Sequence, residues 1–171
     1  MNREPVKTLL IEDDASFTVA LGAILEDAPC FRYLITNVGT LAAATALLRT
    51  CQFDLILLDL TLPDARDEQA VLAIRSMVED TPLVVMTGHD NVEIEAASYR
   101  ANVDDYIVKG GRGIGNYEIR SRIRTAVVSH KAGRRFKKVD RVLEKADELI
   151  KACEEDPALP PYDVSPRTKE N

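Results

Sequence analysis

The sequence predicts an α/β fold: a doubly wound five-stranded parallel sheet with helices on both faces, plus a C-terminal amphipathic helix. Three observations predict it. Short, nearly unbroken apolar runs, Leu55-Ile56-Leu57-Leu58 and Leu83-Val84-Val85-Met86, suit strands buried on both faces. Stripes of apolar residues at helical spacing lie between such runs, and this alternation is the pattern of a parallel sheet. Finally, the runs stop at polar residues, which collects those residues along one edge of the sheet.

The elements follow in order. Lys7-Thr8-Leu9-Leu10-Ile11 reads as a first strand, closed by Glu12-Asp13-Asp14. Residues Ser16 to Glu26 carry Phe17, Ala20, Leu21, Ile24 and Leu25 at helical spacing, and Asp14 or Ser16 can cap that helix. A second strand covers Tyr33 to Val38. Thr40 then caps an alanine-rich helix reaching about Thr50. The run between Asp54 and Asp59 is the third strand. Leu60 to Asp64 follows as a loop, where Pro63 pushes Leu62 out of helical geometry. A helix from about Asp67 to Val78 turns Ala70, Val71, Ile74, Met77 and Val78 inward. Pro82 to Thr87 is the fourth strand, broken by Gly88-His89-Asp90, and Asn91 to Arg100 is a short polar helix. The fifth strand is Asp105 to Lys109. A glycine-rich loop, Gly110 to Gly115, leads to a helix from Tyr117 to His130, with Ile119, Ile123, Ala126 and Val127 on its apolar face.

With 171 residues, 46% of them hydrophobic, the chain can bury a sizeable core. Its net charge of −6 argues against a chain built mainly to hold nucleic acid. Cys30, Cys51 and Cys153 form no metal-like or redox pair, so reduced thiols in a cytoplasmic protein are expected. No secretory leader pattern and no apolar run of about 18 residues is present, so no membrane partner is expected.

Strand endings place Glu12, Asp13, Asp59, Thr87 and Lys109 at one carboxyl edge. A single aspartate at a strand end is most often a turn or cap residue, but five polar endings meeting at one edge reverse that weighting. Three carboxylates in one crevice repel one another unless a cation or protons join them. All-oxygen ligands without a nearby His or Cys favour Mg²⁺. A lysine, a hydroxyl and a metal around one aspartate suit phosphoryl transfer, and aspartate can itself be the nucleophile.

These motifs resemble the receiver domain of bacterial two-component response regulators, a flavodoxin-like fold, over roughly residues 5 to 130. The matching pieces are Ile11-Glu12-Asp13-Asp14, Leu57-Leu58-Asp59-Leu60 with Leu62-Pro63, Met86-Thr87-Gly88, and Asp104-Asp105-Tyr106-Ile107-Val108-Lys109. The resemblance implies that Asp59 is the phosphoacceptor, taking a phosphoryl group from a sensor histidine kinase or a histidine phosphotransfer protein. It implies Mg²⁺ on Glu12, Asp13, Asp59 and the backbone carbonyl of Thr61. Lys109 would pair with a phosphoryl oxygen. Thr87 and Tyr106 would form the switch, and a downstream protein target would read it. Such a chain is not an enzyme with turnover; it catalyses only its own phosphorylation and dephosphorylation. The sequence departs from the family in four places. Gly110 stands where proline is usual, so Lys109 is expected to be less rigidly set. The loop from Lys109 to the fifth helix is about three residues long and rich in glycine. Ala65-Arg66 replaces a customary glycine, and Gly88 follows the switch threonine where alanine or serine is common.

Several residues carry plainer readings. Asp14 reads as a cap rather than a ligand. His89 is a solvated loop residue or a group that contacts attacking water. His130 reads as a surface residue offsetting a helix dipole. The alternating glycines 111, 113 and 115 are no nucleotide fingerprint, because they follow the last strand.

The expected organisation is a receiver domain over residues 1–130, a basic amphipathic helical extension over 131–155, and a disordered tail over 156–171. Lys131-Ala132-Gly133 marks a kink or boundary. Phe136, Val139, Leu143, Ala146, Ile150 and Cys153 then recur at heptad-like spacing, which fits either packing on the receiver or a homodimer. The charge cluster Lys131, Arg134, Arg135, Lys137, Lys138 and Arg141 reads first as a solvated face, so nucleic acid is not expected as a partner. The leading expectation is a single-domain response regulator signalling through protein contacts. The alternative is the N-terminal receiver of a longer transcriptional regulator whose DNA-binding domain is absent from this chain. An aspartyl-nucleophile phosphatase is the third reading; Asp64 is its only candidate second acid, and it sits in the wrong kind of loop.

Overall fold

The computed structural model describes residues 3–88, 101–110 and 115–154. Expectations for His89, the helix over 91–100, the glycine loop at 111–114 and the tail over 156–171 lie outside those residues.

The described elements are β1 (Glu4–Ile11), α1 (Ala15–Glu26), β2 (Phe31–Val38), α2 (Leu41–Leu48), β3 (Leu55–Asp59), β4 (Thr61–Leu62), β5 (Ala65–Arg66), α3 (Asp67–Met77), β6 (Leu83–Thr87), β7 (Asp105–Val108) and α4 (Asn116–Glu154). Five strands form one sheet in the order β2-β1-β3-β6-β7, all neighbours parallel. The order reverses direction between β1 and β3. In open α/β sheets the crevice beyond the carboxyl ends at such a point is where ligands bind.

The core sits on both faces of this sheet. Alternate strand residues point to opposite faces. Leu10, Leu57, Val84, Met86 and Ile107 pack with Leu21 and Leu25 of α1 and Ile119, Ile123 and Val127 of α4. Leu9, Ile56, Leu58, Leu83, Val85 and Tyr106 pack on the other side with Ala44 of α2 and Ala70, Val71 and Ile74 of α3. β3 and β6 are buried at all five positions each, as their apolar runs predicted.

Local differences from the sequence reading have physical causes. β1 and β2 begin earlier than expected, because Glu4 to Ile11 pair in register with Phe31 to Val38. Backbone pairing does not need apolar side chains at the exposed first residues of β1. The expected loop after Asp59 contains a short antiparallel hairpin, with Thr61 opposite Arg66 and Leu62 opposite Ala65. Its turn residue Asp64 accepts hydrogen bonds from the backbone N–H groups of Leu41 and Ala42, each at 2.9 Å. The hairpin is thereby tied to the first turn of α2, where orphan N–H groups favour a carboxylate.

The chain divides into two compact units between Lys131 and Ala132. Helical geometry nonetheless continues through Lys131-Ala132-Gly133, where the sequence suggested a kink or boundary. A glycine costs a helix interior only about 1 kcal/mol relative to alanine. In the second unit Glu144, Lys145, Glu148 and Lys151 are exposed. The side chains of the apolar stripe there lie outside the described residues.

Candidate functional site

The site is assembled by strand register. Glu12 follows β1, and its N–H donates to the Val38 carbonyl at 2.8 Å. Asp59 is the last residue of β3 and lies opposite Met86 of β6. Thr87 ends β6 opposite Val108, and the Lys109 N–H donates to the Thr87 carbonyl at 2.6 Å. Strand alternation then sorts the side chains. Glu12, Asp59 and Lys109 share the parity of Leu10, Leu57 and Ile107, which face α1 and α4. Thr87 shares the parity of Val85, on the α3 side with Tyr106.

Glu12 and Asp59 are buried, at 1% and 4% exposure, while Asp13 is exposed. One ligand oxygen from each of the three lies within 4.8 Å of the others. Lys109 Nζ donates to Glu12 Oε2 and lies 3.0 Å from Asp59 Oδ2. Its third neighbour is the Phe17 ring, with the centroid 4.2 Å away. Glu12 Oε1 accepts from the Asp14 N–H at 3.1 Å. Burial pushes the Glu12 carboxyl above its usual range; the Lys109 ammonium opposes that shift and Asp59 adds to it.

The remaining oxygen is the informative one. Asp59 Oδ1 is buried and has no hydrogen-bond partner among the described residues. A buried carboxylate oxygen left unpaired is costly. Among the described residues, three acids cluster and the Lys109 ammonium pairs with two of them, so the pocket is under-neutralised. Both features fit a divalent cation held by Glu12, Asp13 and Asp59.

The structure therefore brings Glu12, Asp13, Asp59 and Lys109 together. Thr61 lies two residues beyond Asp59, on β4, with an exposed side chain. Thr87 and Tyr106 are buried, at 3% each, on the opposite parity. Asp14 is the α1 cap, accepting from Ser16 and Phe17 N–H groups at 2.8 and 3.3 Å. Asp64 is engaged at α2, which leaves the phosphatase reading without its second acid. His130 is not at a helix end: its Nε2 lies 2.6 Å from the Asp80 carbonyl and its Nδ1 lies 3.6 Å from Asp104. Asp104 also takes Arg75 at 2.8 Å and the Leu83 N–H at 2.9 Å. Asp105 pairs with Arg122 of α4. This acid pair fastens β7 rather than entering the pocket. Gly110 has φ of +70°, a left-handed conformation that favours glycine. Phe17 was legible only as a core position; an aromatic in the first helical turn after an acid motif was the available signal.

Residues 8–123 match the response regulator receiver domain family. The chain belongs to that family. It is 35% identical over 101 residues to the swarming motility regulation protein RssB of Serratia marcescens, an alignment covering 59% of this chain and 45% of that protein. It is 28% identical over 104 residues to the cell cycle transcriptional regulator CtrA of Caulobacter vibrioides, covering 61% and 44%. These alignments thus span a little under half the length of each relative. Among solved structures, a CheY-like receiver domain protein from Methanospirillum hungatei superposes with a TM-score of 0.66 at 20% identity, covering 77% of this chain and 99% of that one. The phosphorylated cyanobacterial phytochrome response regulator RcpA gives 0.62 at 26% identity, covering 72% and 94%. The Mn²⁺-bound response regulator Rcp1 gives 0.62 at 24% identity, covering 71% and 93%. Among the described residues, no helix is long and apolar enough to cross a membrane.

Proposed function

We propose that this chain is a phosphorylatable receiver that takes a phosphoryl group onto Asp59 in a Mg²⁺-dependent reaction and then switches protein–protein contacts. The observation that carries this reading is the Asp59 carboxylate. It is buried in a three-acid cluster, with one oxygen 3.0 Å from Lys109 Nζ and the other unpartnered.

In this reading an Asp59 oxygen attacks phosphorus as the donor's P–N bond breaks, and the nitrogen leaves with the bonding pair. Mg²⁺, held by Glu12, Asp13, Asp59 and the Thr61 carbonyl, would neutralise charge on the transferring group. Lys109 supplies a fixed positive charge to a phosphoryl oxygen. Burial of Glu12 and Asp59 keeps bulk water from the reacting carboxylate. Thr87 and Tyr106, on the other parity, form the switch. The donor is a sensor histidine kinase or a histidine phosphotransfer protein, and a downstream protein reads the product. The chain acts on itself and is not a turnover enzyme. Its place is the cytoplasm, with the receiver over residues 1–130 and a helical extension over 131–155 available for dimerisation. The reading is supported by two similar folds, the phosphorylated response regulator RcpA and the Mn²⁺-bound response regulator Rcp1.

A second reading is supported by the relatives. CtrA is a transcriptional regulator, of which the aligned region spans 44%. This chain would then be the receiver part of a longer DNA-binding protein.

The test is incubation with Mg²⁺ and acetyl phosphate, followed by intact mass. A single phosphoryl adduct is expected, absent in Asp59→Ala. No adduct on the wild type, where a control receiver reacts, overturns the proposal.

A further inference from the structure

We infer that Phe17 is the positioning residue for Lys109, holding its ammonium over the acid pocket by the face of its ring; this rests on the phosphoacceptor reading above. Four observations carry it. Lys109 Nζ stands 4.2 Å from the Phe17 ring centroid, within cation–π range. Lys109 is followed by Gly110 at φ +70°, where nothing among the described residues lies within 4 Å of a would-be Cβ, so this neighbour offers no side chain to hold the lysine. The other two partners of Nζ are Glu12 and Asp59, both members of the candidate metal cluster. Phe17 itself is fixed, because its N–H is capped by Asp14 and its ring packs against the core beneath α1.

The chemistry makes the ring more than a packing contact. A cation bound to Glu12 and Asp59 draws on the same two carboxylates as the ammonium and repels it. Once those acids are engaged, Lys109 needs a partner that is not a metal ligand. An aromatic face is such a partner: it attracts an ammonium, binds Mg²⁺ poorly beside carboxylates, and leaves the N–H donors free to turn toward a phosphoryl oxygen.

The test compares adduct formation from acetyl phosphate at saturating Mg²⁺ in the wild type, Phe17→Leu, Phe17→Tyr, Lys109→Gln and the double variant Phe17→Leu/Lys109→Gln. Phe17→Leu keeps apolar volume and removes the ring face. The expected result is a slowing of about three- to thirty-fold, the range for loss of a part-buried cation–π contact. Phe17→Tyr restores the rate, and in the Lys109→Gln background Phe17→Leu has no further effect. A slowing of the same size in both backgrounds, or a Phe17→Leu rate equal to wild type, overturns the inference. Failure of the wild type to form any adduct would instead overturn the phosphoacceptor reading. Thermal melts of each variant confirm that rates are compared on folded protein.

Discussion

Replacing Asp59 with asparagine should stabilise the protein when no divalent cation is present. The substitution keeps the shape of the side chain and removes one buried charge. With an effective dielectric near 20, the attraction lost between Asp59 and Lys109 at 3.0 Å is about 5.5 kcal/mol. The repulsion relieved is about 3.5 kcal/mol for each neighbouring acid at the 4.8 Å limit of the cluster. The Asp13 share must be reduced, because that residue is exposed and screened. The Coulomb contributions therefore nearly cancel, and Lys109 keeps Glu12 as a partner. What remains is the cost of burying the Asp59 carboxylate with Oδ1 unpaired. The amide leaves a polar atom there too, but an unmet hydrogen bond costs a neutral group less than a charged one, a difference of about 1–3 kcal/mol. For a folded unit of this size that is a rise in Tm of roughly 3–12 °C. The assay is thermal unfolding followed by circular dichroism in EDTA and again in Mg²⁺. The wild type should gain stability from Mg²⁺ by mass action, and Asp59→Asn should gain less. If Asp59→Asn melts at or below the wild type in EDTA, the lysine attraction dominates. The cluster is then not a site left under-neutralised.

Two further outcomes follow from other side chains. Asp64→Ala should lower Tm at neutral pH by removing both acceptors at the start of α2. The Ala42 and Leu41 N–H groups lower the Asp64 pKa, so its contribution is present above the ordinary carboxylate value of 3.8 and is lost as pH falls through the folded value. The gap between wild type and variant should close in acid, and identical melts at neutral pH would contradict the tie. Burial, aided by Cys30 and opposed by Arg124, pushes the Tyr33 phenol up to about 12. A raised pKa gives stability that is complete below the ordinary value of 10 and lost as pH rises through 12. The phenolate absorbance of wild type minus Tyr33→Phe should titrate near 12; a midpoint near 10 in folded protein would refute the burial argument.

Much of this architecture was readable because burial on two faces leaves a strong mark. Leu55 to Leu58 admits no polar residue, so Asp59 announces the end of its strand, and the same logic located Thr87 and Lys109. The acid pocket was legible because Glu12, Asp13 and Asp59 close strands whose carboxyl ends share one edge of the sheet. What escaped was set by contacts distant in sequence or too short to show a period. The β4–β5 hairpin has two paired residues per strand, too few for alternation to register. Asp64 reaches back more than 20 residues to α2, and nothing local signals that partner. Phe17 falls in the apolar stripe of α1, and periodicity cannot distinguish a ring meeting leucine from one meeting an ammonium. His130 marked an expected helix end, whereas α4 continues past it and the imidazole is engaged with Asp80 and Asp104.

The same alternation constrains how a charge change at Asp59 could be read out. Asp59 and Lys109 face α1 and α4, while Thr87 and Tyr106 belong to the α3 side. Within the ladder, the sheet itself separates the two sets. They can communicate only past its carboxyl edge, where β3, β6 and β7 have ended. Thr87 is the last ladder residue there, and its carbonyl is held by the Lys109 N–H at 2.6 Å. Among the described residues, nothing lies within 4 Å of where a Cβ on Gly88, immediately beyond, would sit. A Thr87 hydroxyl drawn toward a phosphoryl group on Asp59 would displace the Thr87 main chain with it. The Lys109 backbone, bonded to the same carbonyl, would register that displacement. In the proposed switch, Lys109 thus couples by side chain to the charge on Asp59 and by main chain to the position of Thr87.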